Sequence, residues 1–320
     1  MCYDTVMKNL IFSLNATVPI FIMMVLGYIF RRIHLLDEHS LKVINKFVFV
    51  VALPVLMFED LATQDIASSW NAKFIAFCFV VTFFEILLAT LLSLVVVKKE
   101  ERGEFIQASY RSSAALLGAA IITNIYGDSG MAPLMIIGAV PLYNVCAVTV
   151  LSLTNPEYQT LDRKTIKKTF KGIITNPILI GIVVGLLWSL LKLPYPTILE
   201  KTVNNISKLA TPLGLMAMGG SLEFNKITKV LKPAIISVFL KLFGFAMIFV
   251  PVAIWFGFQE SELIAILVML GSATTVSCYV MAQNMKHEGT LTSAVVMLTT
   301  LLSSFSLTFW LWLLKTLMLI

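Results

Sequence analysis

Apolar residues run in this chain for stretches longer than a soluble helix requires. No Asp, Glu, Lys or Arg occurs from Asn9 to Phe30, from Gly172 to Leu191, from Leu263 to Met285 or from Gly289 to Leu314. A hydrocarbon core about 30 Å thick is crossed by about 20 helical residues, and each run reaches that length. Barrel strands are excluded, because they cross in about 10 residues of alternating polarity. The same pattern, followed along the chain, predicts ten helices at 10–30, 43–61, 72–97, 105–126, 130–152, 172–191, 201–220, 234–257, 262–285 and 289–315. The fold class is therefore an all-α polytopic membrane protein. The second and seventh spans are short, and each is interrupted by a proline, Pro54 or Pro212.

Composition agrees with lipid as the solvent. Of 320 residues, 13% are charged and 58% hydrophobic, with a mean hydropathy of +0.89, where soluble domains carry about 25% charge. The formal net charge of +6 reads as topology rather than as a nucleic-acid surface. With the N-terminus outside, sixteen Lys and Arg fall in inner loops and six in outer ones, while Arg111 and Lys241 lie within spans. That bias favours ten crossings with both termini outside. The first apolar run is too long for the core of a signal peptide, and only Lys8 precedes it, so it is expected to remain as a span. Cys78, Cys146 and Cys278 sit in apolar spans and Cys2 is terminal, which leaves no disulfide framework.

The chain also repeats. Pro19 and Gly27 of the first span match Pro177 and Gly185 of the sixth, and Pro54 matches Pro212, all at an offset of 158. Gly118-Ala-Ala of span four resembles Gly271-Ser-Ala of span nine at an offset of 153. Five spans per half is an odd number, so the second half enters from the opposite side, which is the inverted-repeat arrangement of many transporters. The expected domains are a first five-helix repeat at 1–152, a cytoplasmic linker at 153–171 and a second repeat at 172–320.

Catalytic and metal chemistry find no footing. His34, His39 and His287 fall in loops without ligand spacing, and no Ser–His arrangement or paired aspartates occur within a span. No enzyme activity, metal or cofactor is expected. Small and hydroxyl residues instead cluster around Gly118 in span four and Gly271 in span nine. They serve either close helix packing or a pair of interrupted helices whose freed N–H groups face an anion. On the second reading Ser112, Ser113, Thr274, Thr275 and Ser277 supply hydrogen bonds. Asn144, beside Tyr143 in span five, either bonds a broken helix or touches substrate. Charges within spans are expensive. Glu85 and Lys241 form a pair, or Lys241 snorkels inward, or Glu85 couples protons. Arg111 either anchors span four at the inner interface or attracts an anionic substrate.

Several segments together resemble the auxin efflux carriers, a family that includes plant exporters and bacterial organic-acid permeases. They are Leu53-Pro-Val-Leu-Met-Phe, Tyr143-Asn, Asn176-Pro, Pro212-Leu-Gly-Leu-Met-Ala-Met-Gly-Gly-Ser-Leu, Thr275-Val-Ser-Cys-Tyr-Val-Met-Ala and Thr299-Thr-Leu-Leu-Ser. The resemblance covers nearly the whole chain. It implies two inverted five-helix repeats, helices four and nine crossed at the substrate site, and an elevator-like motion of spans three to five and eight to ten against spans one, two, six and seven. It implies small organic anions as substrates. Ser113 stands where the family often has asparagine, and Ala120 and Ala273 stand where it usually has crossover prolines, which leaves the helix breaks to Gly118 and Gly271.

The function expected is secondary transport of a small organic carboxylate across the plasma membrane by alternating access. Two alternatives stand beside it: a receptor that kept the fold without transport, and an ion-coupled cation exchanger. The latter wants acidic residues at the crossing, where spans four and nine have none. The partners expected are the substrate and the lipid bilayer, with a homodimer left open and no nucleic acid.

Overall fold

The computed structural model of the chain describes residues 2–63, 71–114, 122, 131–156 and 163–320, and within them every regular element is helical. Helix α1 spans Cys2–Arg32 and closes on Arg31 and Arg32, cations at the negative end of its dipole. Asp37 opens α2 (Glu38–Ala62) by accepting a hydrogen bond from the Ser40 N–H at 2.7 Å, and the Ser40 hydroxyl together with that N–H holds its carboxyl below the ordinary range. Within α2 a wider π-type turn at Val48–Ala52 precedes Pro54, which has no N–H to donate. Helix α3 (Ala72–Val96) is capped by the Asn71 side chain.

Helix α4 (Arg102–Tyr110) is short, α5 (Ala132–Leu153) is long, and α6 (Arg163–Ile174) is basic and amphipathic. The Asn176 side chain then caps α7 (Pro177–Leu190), whose proline occupies the first helical position. Next come α8 (Thr197–Ser207), α9 (Ala210–Gly220) and α10 (Asn225–Trp255), the last with a second π-type turn at Leu240–Gly244. The chain ends with α11 (Glu260–Gly271), α12 (Ser277–Asn284) and α13 (Thr290–Thr316).

Among the described residues, α2, α3, α5, α10 and α13 are long and apolar enough to cross a bilayer, and α7 is a shorter apolar helix. Four predicted spans are discontinuous, the ninth between Gly271 and Ser277. The sixth breaks at Thr175–Asn176, and the seventh at Lys208–Leu209, just before Pro212. The fourth ends as a helix at Tyr110; Gly118 and Ala120, and most of its predicted second half, lie outside the described residues.

Helix α1 packs along α9, and α2 packs along α7. Both seams are backbone-tight at a glycine. A Cβ on Gly27 would collide with the Met216 carbonyl, and one on Gly185 would meet the Phe58 carbonyl at 2.8 Å. Loops gather at two ends. At one end His287 Nε2 lies 2.9 Å from the Leu151 carbonyl, Asn155 donates to the Met285 carbonyl, and a cavity of about 730 Å³ is lined by Arg31, Asp37, Lys226 and Gln283. At the other end Asn71 donates to Glu262, Lys73 donates to the Phe256 carbonyl, and Asn204 and Ser207 donate to Glu59.

Candidate functional site

Two helices stop against each other inside the protein. Helix α4 ends at Tyr110, and Arg111 turns to extended backbone (φ −72°, ψ 127°). Helix α11 ends at Gly271, Ser272 is extended (φ −82°, ψ 166°), and helical structure resumes only at Ser277. The two extended segments touch through one backbone bond, from the Ser113 N–H to the Ala273 carbonyl at 2.9 Å. The break in span nine falls at Gly271, as the sequence suggested. The break in span four opens at Arg111, seven residues ahead of Gly118, because the helix gives way where Arg111 and the two serines find partners on other segments of the chain.

Interrupted helices leave carbonyls that lipid cannot satisfy, and neighbouring side chains take them up. Lys241, wholly buried, donates to the carbonyls of Tyr110, Met269 and Leu270 at 3.1, 3.1 and 3.0 Å. It thus sits on the negative ends of both half-helices at once. Its own placement comes from the π-type turn of α10, which holds it in the core. Thr274 Oγ1 donates to the Ala108 carbonyl at 2.8 Å and its N–H to Thr299 Oγ1 at 3.0 Å, while Gln107 donates to the Cys278 carbonyl. Lys241 therefore does not snorkel to the inner face. Nor does it pair with Glu85, both of whose oxygens are buried without a hydrogen-bond partner among the described residues.

Arg111 lies at the centre of this arrangement, 3% exposed. Its guanidinium donates to Asn144 Oδ1 at 2.8 Å and Ser277 Oγ at 2.9 Å, and contacts Met281 Sδ at 2.7 Å, while Nε has no partner among the described residues. Every one of these partners is neutral. The interfacial-anchor reading of Arg111 is thereby corrected: the residue is in the core, drawn there by the turn at the end of α4. Asn144 is fixed in turn, its amide donating to the Val140 carbonyl at 2.9 Å.

A cavity of about 100 Å³ adjoins the guanidinium, lined by Arg111, Ser112, Ser113, Asn144, Thr275 and Ser277, with Met57, Asp60, Tyr143 and Thr211 also on its wall. The Ser277 end of α12 adds the positive end of a helix dipole. A smaller neighbouring cavity of about 20 Å³ shares Ser113, Thr211 and Thr275, and includes Thr274 and Ala273. Of the residues singled out from sequence, six meet at the larger cavity, while Gly271 and Thr274 serve the backbone of the crossing. Asp60 and Met57 of α2 were not singled out. The signal for Asp60 was an acidic residue close to the end of an apolar span.

The sequence profile of a family described as membrane transport protein matches residues 12–311. The chain belongs to the auxin efflux carrier family. A comparison with curated proteins finds no match. Among solved structures, this family member is similar to the sodium proton antiporter MjNhaP1 from Methanocaldococcus jannaschii, at pH 8. The TM-score is 0.63 with 11% identity over 95% of this chain and 99% of the other. At that identity the likeness is one of fold. The carrier is thus a multi-pass, helical membrane transport protein with an antiporter-like fold.

Proposed function

We propose that this carrier is a secondary transporter of a small organic anion, a carboxylate, bound at the crossing of spans four and nine and moved by alternating access. The observation that supports this reading is Arg111, a buried guanidinium beside a cavity, held among the described residues by neutral groups. Arginine does not deprotonate in proteins, and a buried charge is expensive unless paired. A carboxylate in the cavity would supply the missing counter-charge, with Ser112, Ser113, Thr275 and the α12 N-terminus around it.

The architecture proposed with it is ten spans in two inverted five-helix repeats joined by the 153–171 linker. Supporting this, the sequence offset of 158 exchanges the two tight seams: Gly27 against Met216 becomes Gly185 against Phe58. Spans three to five and eight to ten would slide against spans one, two, six and seven. The carrier would sit in the plasma membrane with both termini outside, act without cofactor or catalysis, and admit a homodimer. A second reading, sodium- or proton-coupled exchange of cations, has in its favour the antiporter-like fold and the unpartnered Glu85.

Proteoliposomes loaded with a radiolabelled carboxylate panel test the proposal. Uptake or exchange of at least one carboxylate is expected, and Arg111→Gln should lower its apparent affinity about 10–100-fold, the worth of a charged hydrogen bond. Unchanged transport in Arg111→Gln would overturn the site. Binding without flux would favour a receptor, and flux of sodium alone, driven by an imposed proton gradient, would favour exchange.

A further inference from the structure

The linker ahead of span six is a helix with two faces. In α6, Arg163, Lys164, Lys167, Lys168 and Lys171 provide five basic residues with no acidic one. Ile166, Phe170, Ile173 and Ile174 fall at helical spacing i, i+4, i+7 and i+8. The break at Thr175–Asn176, with Asn176 capping α7, separates this helix from the apolar span that follows. Phe170 is 63% exposed and Ile174 60% exposed, Lys167 and Lys171 are exposed, and nothing lies within 4 Å of where a Cβ on Gly172 would be. The helix therefore presents large apolar side chains and lysines outward together, at the loop-bearing end that also holds His287 and Asn155.

A run of lysines for topology alone requires no apolar partner face. An exposed Phe and Ile one turn apart, among lysines, match a surface that is apolar below and anionic above. Soluble acidic protein would meet the charge and leave Phe170 and Ile174 in water. We propose that α6 is a docking surface for anionic phospholipid headgroups, with Phe170 and Ile174 buried at the acyl boundary and Lys167 and Lys171 on the phosphates. Docking fixes the segment that joins the two halves of the chain. The proposal does not depend on what the protein carries.

The test uses the full-length protein with Phe170→Cys labelled by an environment-sensitive dye, with labelled protein lacking that substitution as background. It is reconstituted in phosphatidylcholine alone, or in an equal mixture with phosphatidylglycerol. Dye emission is expected to report an apolar setting in the mixed vesicles, a watery one in phosphatidylcholine, and a return towards water at high salt. Lys167→Gln with Lys171→Gln should lower the ratio of docked to undocked helix on the order of 25-fold, about fivefold per lysine, while the corresponding arginine variants keep it. Emission that is the same in both vesicle types overturns the proposal, as does a glutamine variant indistinguishable from its parent. Should the glutamine variant fail to assemble, the comparison of vesicle types and salt decides alone.

Discussion

Lys241→Met removes one cation and leaves three carbonyls at the ends of two half-helices without a donor. The ammonium now reaches Tyr110, Met269 and Leu270 at 3.0 to 3.1 Å. Each carbonyl abandoned in the interior costs about 1–3 kcal/mol. Against this, the variant no longer holds an ammonium out of water, a penalty of several kcal/mol after relaxation. Three carbonyls at about 2 kcal/mol each, less a relieved penalty of a few kcal/mol, leave a net cost of about 2–4 kcal/mol. For 320 residues the per-residue unfolding entropy is roughly 0.7 kcal/mol/K in total, so about 3 kcal/mol lowers Tm by about 4 °C. Thermal unfolding in detergent, followed by tryptophan fluorescence, measures it. Lys241→Gln retains two N–H donors without the charge and should lose about half as much. A Lys241→Met protein that melts with the parent, or a glutamine variant no better than methionine, would refute the claim that this side chain holds the crossing.

Gly27→Ala should destabilise by about 1–3 kcal/mol through collision with the Met216 carbonyl, whereas Gly172→Ala, in open space on α6, should be neutral or stabilise by up to about 1 kcal/mol; equal effects in thermal unfolding would contradict the seam. Glu104 accepts from the N–H groups of Gly289 and Thr292 and from the Thr292 hydroxyl at 2.8, 3.0 and 3.0 Å. Glu104→Ala therefore strips the N-terminus of α13 of its cap and should cost about 1–2 kcal/mol in the same assay. Thr17 of α1 and Ser304 of α13 meet at 2.5 Å across the proposed sliding surface, so Thr17→Cys with Ser304→Cys, oxidised to a disulfide, should arrest uptake, and reduction should restore it. Undiminished uptake in the cross-linked protein would argue against relative motion of those helices. Glu85→Gln should remove any response of uptake to an imposed proton gradient if that carboxyl carries the coupling proton.

Among the described residues, five of the ten predicted spans appear as helices long and apolar enough to cross a bilayer, legible because the solvent dictates them. The offset of 158 that links Pro19, Gly27 and Pro54 to later residues was legible, but only the packed structure shows that Gly27 and Gly185 lie where backbones approach. The breaks were only half readable. Gly271 closes α11 as its composition suggests, but α4 stops at Tyr110, where no glycine or proline marks the turn. What ends that helix is tertiary: the bond from Ser113 to Ala273, and Lys241 from a helix 130 residues away. Local propensity carries no trace of a donor so distant in sequence. The interfacial-anchor reading of Arg111 failed for a related reason, because its partners Asn144 and Ser277 come from distant helices.

The electrostatics of the crossing follow from which helix ends arrive there. Helices α4 and α11 both bring their C-terminal ends, each worth roughly half a negative charge, and Lys241 answers the two together. Beside the cavity lie the positive end of α12 and the guanidinium of Arg111, whose hydrogen-bond partners among the described residues are all neutral. Asp60 is on the same cavity wall, yet Arg111 makes no ion pair within 4 Å among the described residues. On the proposed function, a cation brought to this place would meet the fixed positive charge of Arg111. An anion would find donors already oriented, since Asn144 is locked by the Val140 carbonyl and Arg111 is held by Asn144 and Ser277. Preorganised donors lose little freedom when the guest arrives.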